Sequence, residues 1–186
     1  MKKSILLSVA AALFISAASF GQSSSKLVST KTQIKFFSST PAEDIEAYNT
    51  ASVSTIDKSS GEVVFSVPMQ GFEFDKRLMQ KHFNNDKFLD TKEFPEAKLK
   101  AKITNIDEVD FSKDGSYKAT VKGDLTIKGE TNAITESGTV TVKGNVVKVE
   151  SKFNVTLADY GIVFKKGKPA SNIAEAVEVT VQAEYQ

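Results

Sequence analysis

Tyr117-Lys-Ala-Thr-Val-Lys-Gly-Asp-Leu-Thr-Ile-Lys128 alternates without a break. Ala119, Val121, Gly123, Leu125 and Ile127 fall on one side of an extended chain. Lys118, Thr120, Lys122, Asp124, Thr126 and Lys128 fall on the other. A period of two is the mark of a strand with one buried and one wet face. Ala97 to Thr104 repeats it, setting Ala97, Leu99, Ala101 and Ile103 against Lys98, Lys100, Lys102 and Thr104. Val147 to Leu157 does so with Phe153 and Leu157 inward, and the last strand opposes Val177, Val179, Val181, Ala183 and Tyr185 to polar neighbours. Weaker runs at Thr32–Ser38, Ala47–Ile56, Glu62–Val67 (with Phe65 inward) and Asn132–Val142 bring the count to about eight.

The breaks between these runs are short. Asp114-Gly115, Lys128-Gly129 and Gly144-Asn145 are dipeptides that accept positive φ, and Ser59-Ser60-Gly61 precedes the third strand. Tight reversals make antiparallel neighbours, and one wet face per strand fits an antiparallel sheet. About eight long strands must also hide their edges, and closure into a barrel removes them. The expected fold is therefore all-β, a single antiparallel barrel with one short helix.

That helix is the one departure from period two. Asp75-Lys-Arg-Leu-Met-Gln-Lys-His-Phe-Asn84 starts at a side chain suited to an N-cap and places Leu78, Met79, His82 and Phe83 on one face. Phe72, Phe74, Phe88 and Phe94 surround it. So aromatic a connection is expected to pack down over something apolar. The strands also carry small inward residues, Ala97, Ala101, Ala119, Gly123 and Ala183, which leave volume inside. An eight-stranded barrel is at the size where side chains just fill the interior or one small ligand occupies it.

Lys2 and Lys3, an apolar run from Ile5 to Ile15 and the small residues Ser16 to Ser19 have the layout of a secretory signal peptide. The run is too short to span a bilayer, which takes roughly 20 residues. Residues 1–21 are expected to be removed after Gly21, leaving one domain over 22–186 exported to the periplasm. Loss of Lys2 and Lys3 takes the formal charge from +1 to −1. A balance so near neutral argues against a nucleic-acid partner and gives no electrostatic pull toward an anionic membrane. The chain has no Cys, which excludes disulfides, thiol catalysis, Cys-ligated metals and a lipoprotein anchor. Oligomeric state stays open.

His82 is the only His. No second His supports a metal site, and no Ser elbow supports a triad. No catalytic residue and no cofactor is therefore assigned. His82 is read as a helix-end residue and as a candidate contact for a ligand's polar end. Asp107, Glu108, Asp110 and Asp114 lie close together, but their spacing misses a calcium loop.

Three segments resemble the YceI-like family. They are Leu78-Met-Gln-Lys-His82-Phe83, followed by Phe88-Leu-Asp and Phe94-Pro95-Glu-Ala-Lys-Leu99; Gly123-Asp-Leu-Thr-Ile-Lys-Gly129; and Asp159-Tyr-Gly-Ile162. The resemblance implies a lipocalin-like barrel that holds a polyisoprenoid or similar lipid in an apolar tunnel, in the periplasm, as carrier or store. It adds Phe65, Phe72, Phe74, Leu78, Met79, Phe83, Phe88, Phe94, Leu99, Ala101, Ala119, Leu125, Ile127, Phe153 and Leu157 as the expected apolar lining. Two departures stand out. Thr32-Gln-Ile-Lys-Phe36 replaces the family's early asp-x-x-his-ser, and Met79-Gln80-Lys81 replaces the Arg-acid pair before the motif His. Two other readings stay beside this one: a periplasmic interaction module with a filled barrel and no ligand, and, more weakly, an enzyme acting on a lipid.

Overall fold

The computed structural model describes residues 25–164 and 171–186; the leader expected over residues 1–21, with its cleavage point, lies outside them. The described chain forms one antiparallel sheet of ten strands: β1 (Lys26–Ser39), β2 (Asp44–Asn49), β3 (Val53–Asp57), β4 (Glu62–Pro68), β5 (Phe72–Phe74), β6 (Glu96–Ile103), β7 (Gly115–Ile127), β8 (Glu130–Lys143), β9 (Val146–Thr156) and β10 (Ala176–Tyr185). The expected helix, α1 (Arg77–Asn84), stands between β5 and β6. Eight strands close on themselves in the order β1-β3-β4-β6-β7-β8-β9-β10, and β10 returns to β1.

β1 is long enough to serve three partners. One edge pairs with β10 from Ser29 to Phe37. The other pairs with β3 over Lys26–Val28 and with β2 over Ile34–Ser39. β2 then takes β5, so that a small flap extends the wall at the end where α1 lies. The expected strand over Ala47–Ile56 is thus two strands. Asn49 causes the break: its side chain accepts from Ala51 N at 2.9 Å and Ser52 Oγ at 2.9 Å, and donates to Pro68 O at 2.7 Å. A buried amide satisfied this way holds the chain in a turn.

Two expected hairpins form as read. Lys128 and Gly129, with φ of 49° and 80°, make the two-residue reversal between β7 and β8, and Gly144, at 57°, opens the one between β8 and β9. Asp114-Gly115 is not a hairpin. β6 and β7 are joined by the longer stretch 104–114, and the Asp114 carboxylate instead accepts from Gly144 N at 2.8 Å in the neighbouring turn. The helix starts later than read. Lys76 is its last extended residue, and Met79 N and Gln80 N donate to Lys76 O. Asp75 is one residue too early to cap it.

The barrel is shut at the end away from α1. Val142 pairs with Val147, Val147 with Tyr185, and all three are buried. Tyr185 is 0% exposed, and its hydroxyl meets Ser54 Oγ at 2.7 Å. Burial there pushes the Tyr185 hydroxyl up to about 12, despite the Ser54 bond that opposes the shift. Higher up, Gly123 faces Ala101 across β7 and β6 at very close approach. A Cβ added at Gly123 would overlap Lys100 O and Ala101 Cα, backbone atoms with nowhere to move.

This packing sets two expected outcomes. Gly123→Ala should cost about 3 kcal/mol by overpacking, read by urea denaturation. An unchanged midpoint would show that the two strands can part. For Tyr185, the folded value lies above the unfolded one, so its contribution is complete below about pH 10 and is lost as pH rises toward 12. The loss amounts to about 3 kcal/mol. Tyr185→Phe, which leaves Ser54 unpaired, should be about 1 kcal/mol less stable than the parent at neutral pH. At pH 12 that order should reverse. Parallel stability curves from pH 9 to 12 would contradict it.

Candidate functional site

The closed floor and the eight-stranded wall leave an interior that the side chains do not fill. It is a cavity of about 1040 Å³, bounded almost entirely by apolar groups. Pockets that enclose a drug-sized ligand run to about 1,000 Å³. The wall comes from alternate residues of the strands. Phe65 stands on β4, Leu99 on β6, Ala119, Leu125 and Ile127 on β7, and Phe153 on β9, with Leu157 just beyond β9. Each of these was expected to line it. Ala119 is only 4% exposed yet borders open space, because Ala has nothing to extend into it.

An aromatic cap covers part of the other end. Phe83 of α1 is its hub. Its ring stacks on Phe36 of β1 at 5.7 Å with 13° between planes, and meets Phe72 at 5.5 Å and Phe74 at 5.1 Å, both on β5. Phe88 lies 5.7 Å from Phe83 and stacks on Phe164 at 5.1 Å. Ring pairs at such distances contribute beyond their buried area, about 0.5–1.5 kcal/mol each. The helix is therefore held by its aromatic face rather than by a capping bond.

The rim of this cap is mixed. Leu78 and Met79 line the cavity from α1, but Leu78 is 63% exposed, and Val163, also on the lining, is 58% exposed. Glu43 ties the rim together: Lys76 Nζ reaches one carboxylate oxygen at 2.9 Å, and Asn172 Nδ2 donates to the other at 3.0 Å. His82 is exposed on the same helix and borders the opening, with Lys87 nearby. Among the described residues no cluster of three or more His, Cys, Asp or Glu could hold a metal, and no helix is long and apolar enough to cross a membrane. The expected helical face is real, but only Phe83 on it is buried; Leu78 and His82 form an edge.

Two expected lining residues lie elsewhere. Phe94 packs its ring against Gly129 in the β7–β8 turn, outside the cavity. Ala101 is absent from the wall because it sits on the Gly123 backbone, where β6 and β7 come too close to leave space. Of the small residues expected to make room, Ala97 and Ala119 border the cavity, whereas Gly123 and Ala183 do not. Sequence reasoning missed Ile34 and Phe36 of β1, Ile56 of β3, Val63 and Val67 of β4 and Glu136 of β8, all on the wall. Alternation within Ile34-Lys-Phe36-Phe-Ser38 carried the signal for the first pair.

Comparison with known proteins agrees with this geometry. The YceI-like domain family model matches residues 16–185. A polyisoprenoid binding domain from Saccharophagus degradans, implicated in plant cell wall breakdown, superposes with a TM-score of 0.72 at 13% identity, covering 87% of this chain and 98% of its own. BcnA from Burkholderia cenocepacia gives 0.68 at 15% identity, covering 83% and 96%. The YceI protein of Campylobacter jejuni gives 0.56 at 13% identity, covering 73% and 80%. No curated protein sequence matches the chain.

Ala119 and Ala101 separate open space from packed wall. Ala119→Phe has room to extend and is expected to stay within about 1 kcal/mol of the parent in stability. Ala101→Leu meets backbone and should cost about 1–3 kcal/mol. Equal destabilisation at both positions, measured by thermal melting of ligand-free protein, would mean that the interior collapses around any added group.

Proposed function

The chain belongs to the YceI-like family, and on that premise we propose that its barrel binds a long apolar lipid, an isoprenoid or a similar chain, as a non-catalytic carrier or store in the periplasm. The observation that carries the reading is the apolar cavity of about 1040 Å³ left open inside a closed barrel. At about 25 cal/mol per Å², enclosing several hundred Å² of hydrocarbon gains on the order of 10 kcal/mol before ordering costs. Apolar walls can thus supply the affinity without a charged anchor. The structural likeness to a polyisoprenoid binding domain supports the choice of lipid class. A filled barrel that serves only as an interaction module does not fit so large an interior space.

In this reading the Phe83 cluster is the cover. Its rings shield the trapped chain from water, and the exposed Leu78 and Val163 give the lipid an apolar step at the opening. His82, exposed beside the opening, is a contact for the ligand's polar end rather than a catalytic group in this reading.

Organic extraction of protein purified from the periplasmic fraction, followed by mass spectrometry, is expected to yield an apolar lipid near one per chain, with Gln22 as the first residue. Ala119→Phe should carry markedly less. Protein that yields no lipid, and that takes up no isoprenoid alcohol when one is offered in detergent, would end this reading.

A further inference from the structure

One side chain in the cavity does not match its surroundings. Glu136 lies midway along β8, between Ile134 and Gly138 and opposite Val121 of β7, and all four border the apolar interior. Among the described residues it has no hydrogen-bond or ion-pair partner. Desolvation alone pushes its carboxyl above the ordinary glutamate value.

The wall changes at the same level. Pairing of β8 with β9 runs from Lys143↔Val146 to Gly138↔Ser151 and stops, although β8 extends back to Glu130 and β9 on to Thr156. Ser151 Oγ donates to Ser137 O at 2.8 Å at the point where the ladder ends. Beyond it the two strands part, and β8 is next tied to the turn after β9, where Asn132 Nδ2 donates to Asp159 O at 2.7 Å. Glu136 stands on the stretch of β8 that no longer pairs with β9.

In the empty barrel water can solvate this half-buried carboxylate. A lipid that fills the barrel removes that water. A carboxylate stripped of water and given no partner is among the costliest groups to bury. Were the ligand hydrocarbon throughout, any aliphatic residue would serve better here. We propose that Glu136 receives a hydrogen-bond donor on the ligand, so that the lipid enters with a hydroxyl or protonated amine leading and its chain trailing toward α1. This rests on the lipid-binding reading above and specifies which lipids it admits. At the rim, Lys76 and Lys87 are themselves donors, and Glu43 already accepts from Lys76 and Asn172.

The test holds chain length fixed and varies the head. Hexadecanol, hexadecylamine and hexadecyl methyl ether are each competed against a fluorescent apolar probe in the parent, Glu136→Gln and Glu136→Leu. In the parent the alcohol and the amine should compete about tenfold better than the ether. Glu136→Gln, which keeps an acceptor but no charge, should retain the alcohol preference and lose that for the amine. Glu136→Leu should bind all three alike, with the ether improved. Equal binding of the three lipids by the parent, or an unchanged ranking in Glu136→Leu, overturns the assignment of Glu136 and leaves the lipid cavity standing. Failure of every lipid to displace the probe removes both.

Discussion

The pairing of β1 with β10 is the constraint on which the rest depends. It runs antiparallel from Ser29↔Tyr185 to Phe37↔Glu178 and joins the two ends of the described chain. Without it the sheet would have two open edges, each a row of unpaired backbone groups. With it, the strands close into a ring, and an interior exists at all. The pairing also puts Tyr185 over Ser54 and so shuts the floor. Because its partners lie about 150 residues apart, this contact closes the largest loop in the domain, and loop-closure entropy places it late in folding.

Closure alone does not leave a cavity; the choice of inward residues does. A barrel of this strand number is filled when large side chains oppose one another. Here Ala97, Ala119 and Gly138 stand on the wall among Phe65, Leu99 and Phe153. An unfilled interior forfeits dispersion contacts, and cavities cost stability in proportion to their volume. The fold recovers rigidity at the two ends instead, through the buried Tyr185–Ser54 floor and the ring stack on Phe83. A ligand bound there would supply the missing contacts and so couple binding to stability by mass action.

Much of this was legible in the chain. The runs at β6, β7 and β10 alternate strictly, and β9 does so except at Ser151, because one face is wet; period two then specifies which residues turn inward. Alternation cannot say what an inward residue meets. Ala101 and Ala119 read alike, yet the first lies on the backbone of Gly123 and the second on open space. The difference arises from how closely neighbouring strands approach, which is a property of the pair. The same limit explains Phe94, whose partner is Gly129 on a distant hairpin. The Asn49 turn was hidden for another reason: its side-chain bonds reach Pro68, and a run of mixed residues gave no sign of that partner.

Glu136 shows what a polar residue on an inward register position means. Period two places it on the same face as Ile134 and Val140, so the sequence itself contains the mismatch. Read on one strand, it passes for an irregular alternation. Read on the wall of the cavity, it is a carboxylate among apolar neighbours. Apolar walls bind hydrocarbon in proportion to area and discriminate poorly between chains of similar size, since one methylene changes affinity by only about 0.8 kcal/mol. Selectivity in such a barrel has to come from its few polar points, because a buried group left unpaired penalises the wrong ligand more than a good contact rewards the right one. Those points include the rim, with Glu43, Lys76, His82 and Asn172, where water competes, and Glu136 midway along β8, where a ligand filling the barrel would displace it. In the lipid-binding role proposed above, the interior carboxylate would have the larger leverage of the two over which lipid stays bound.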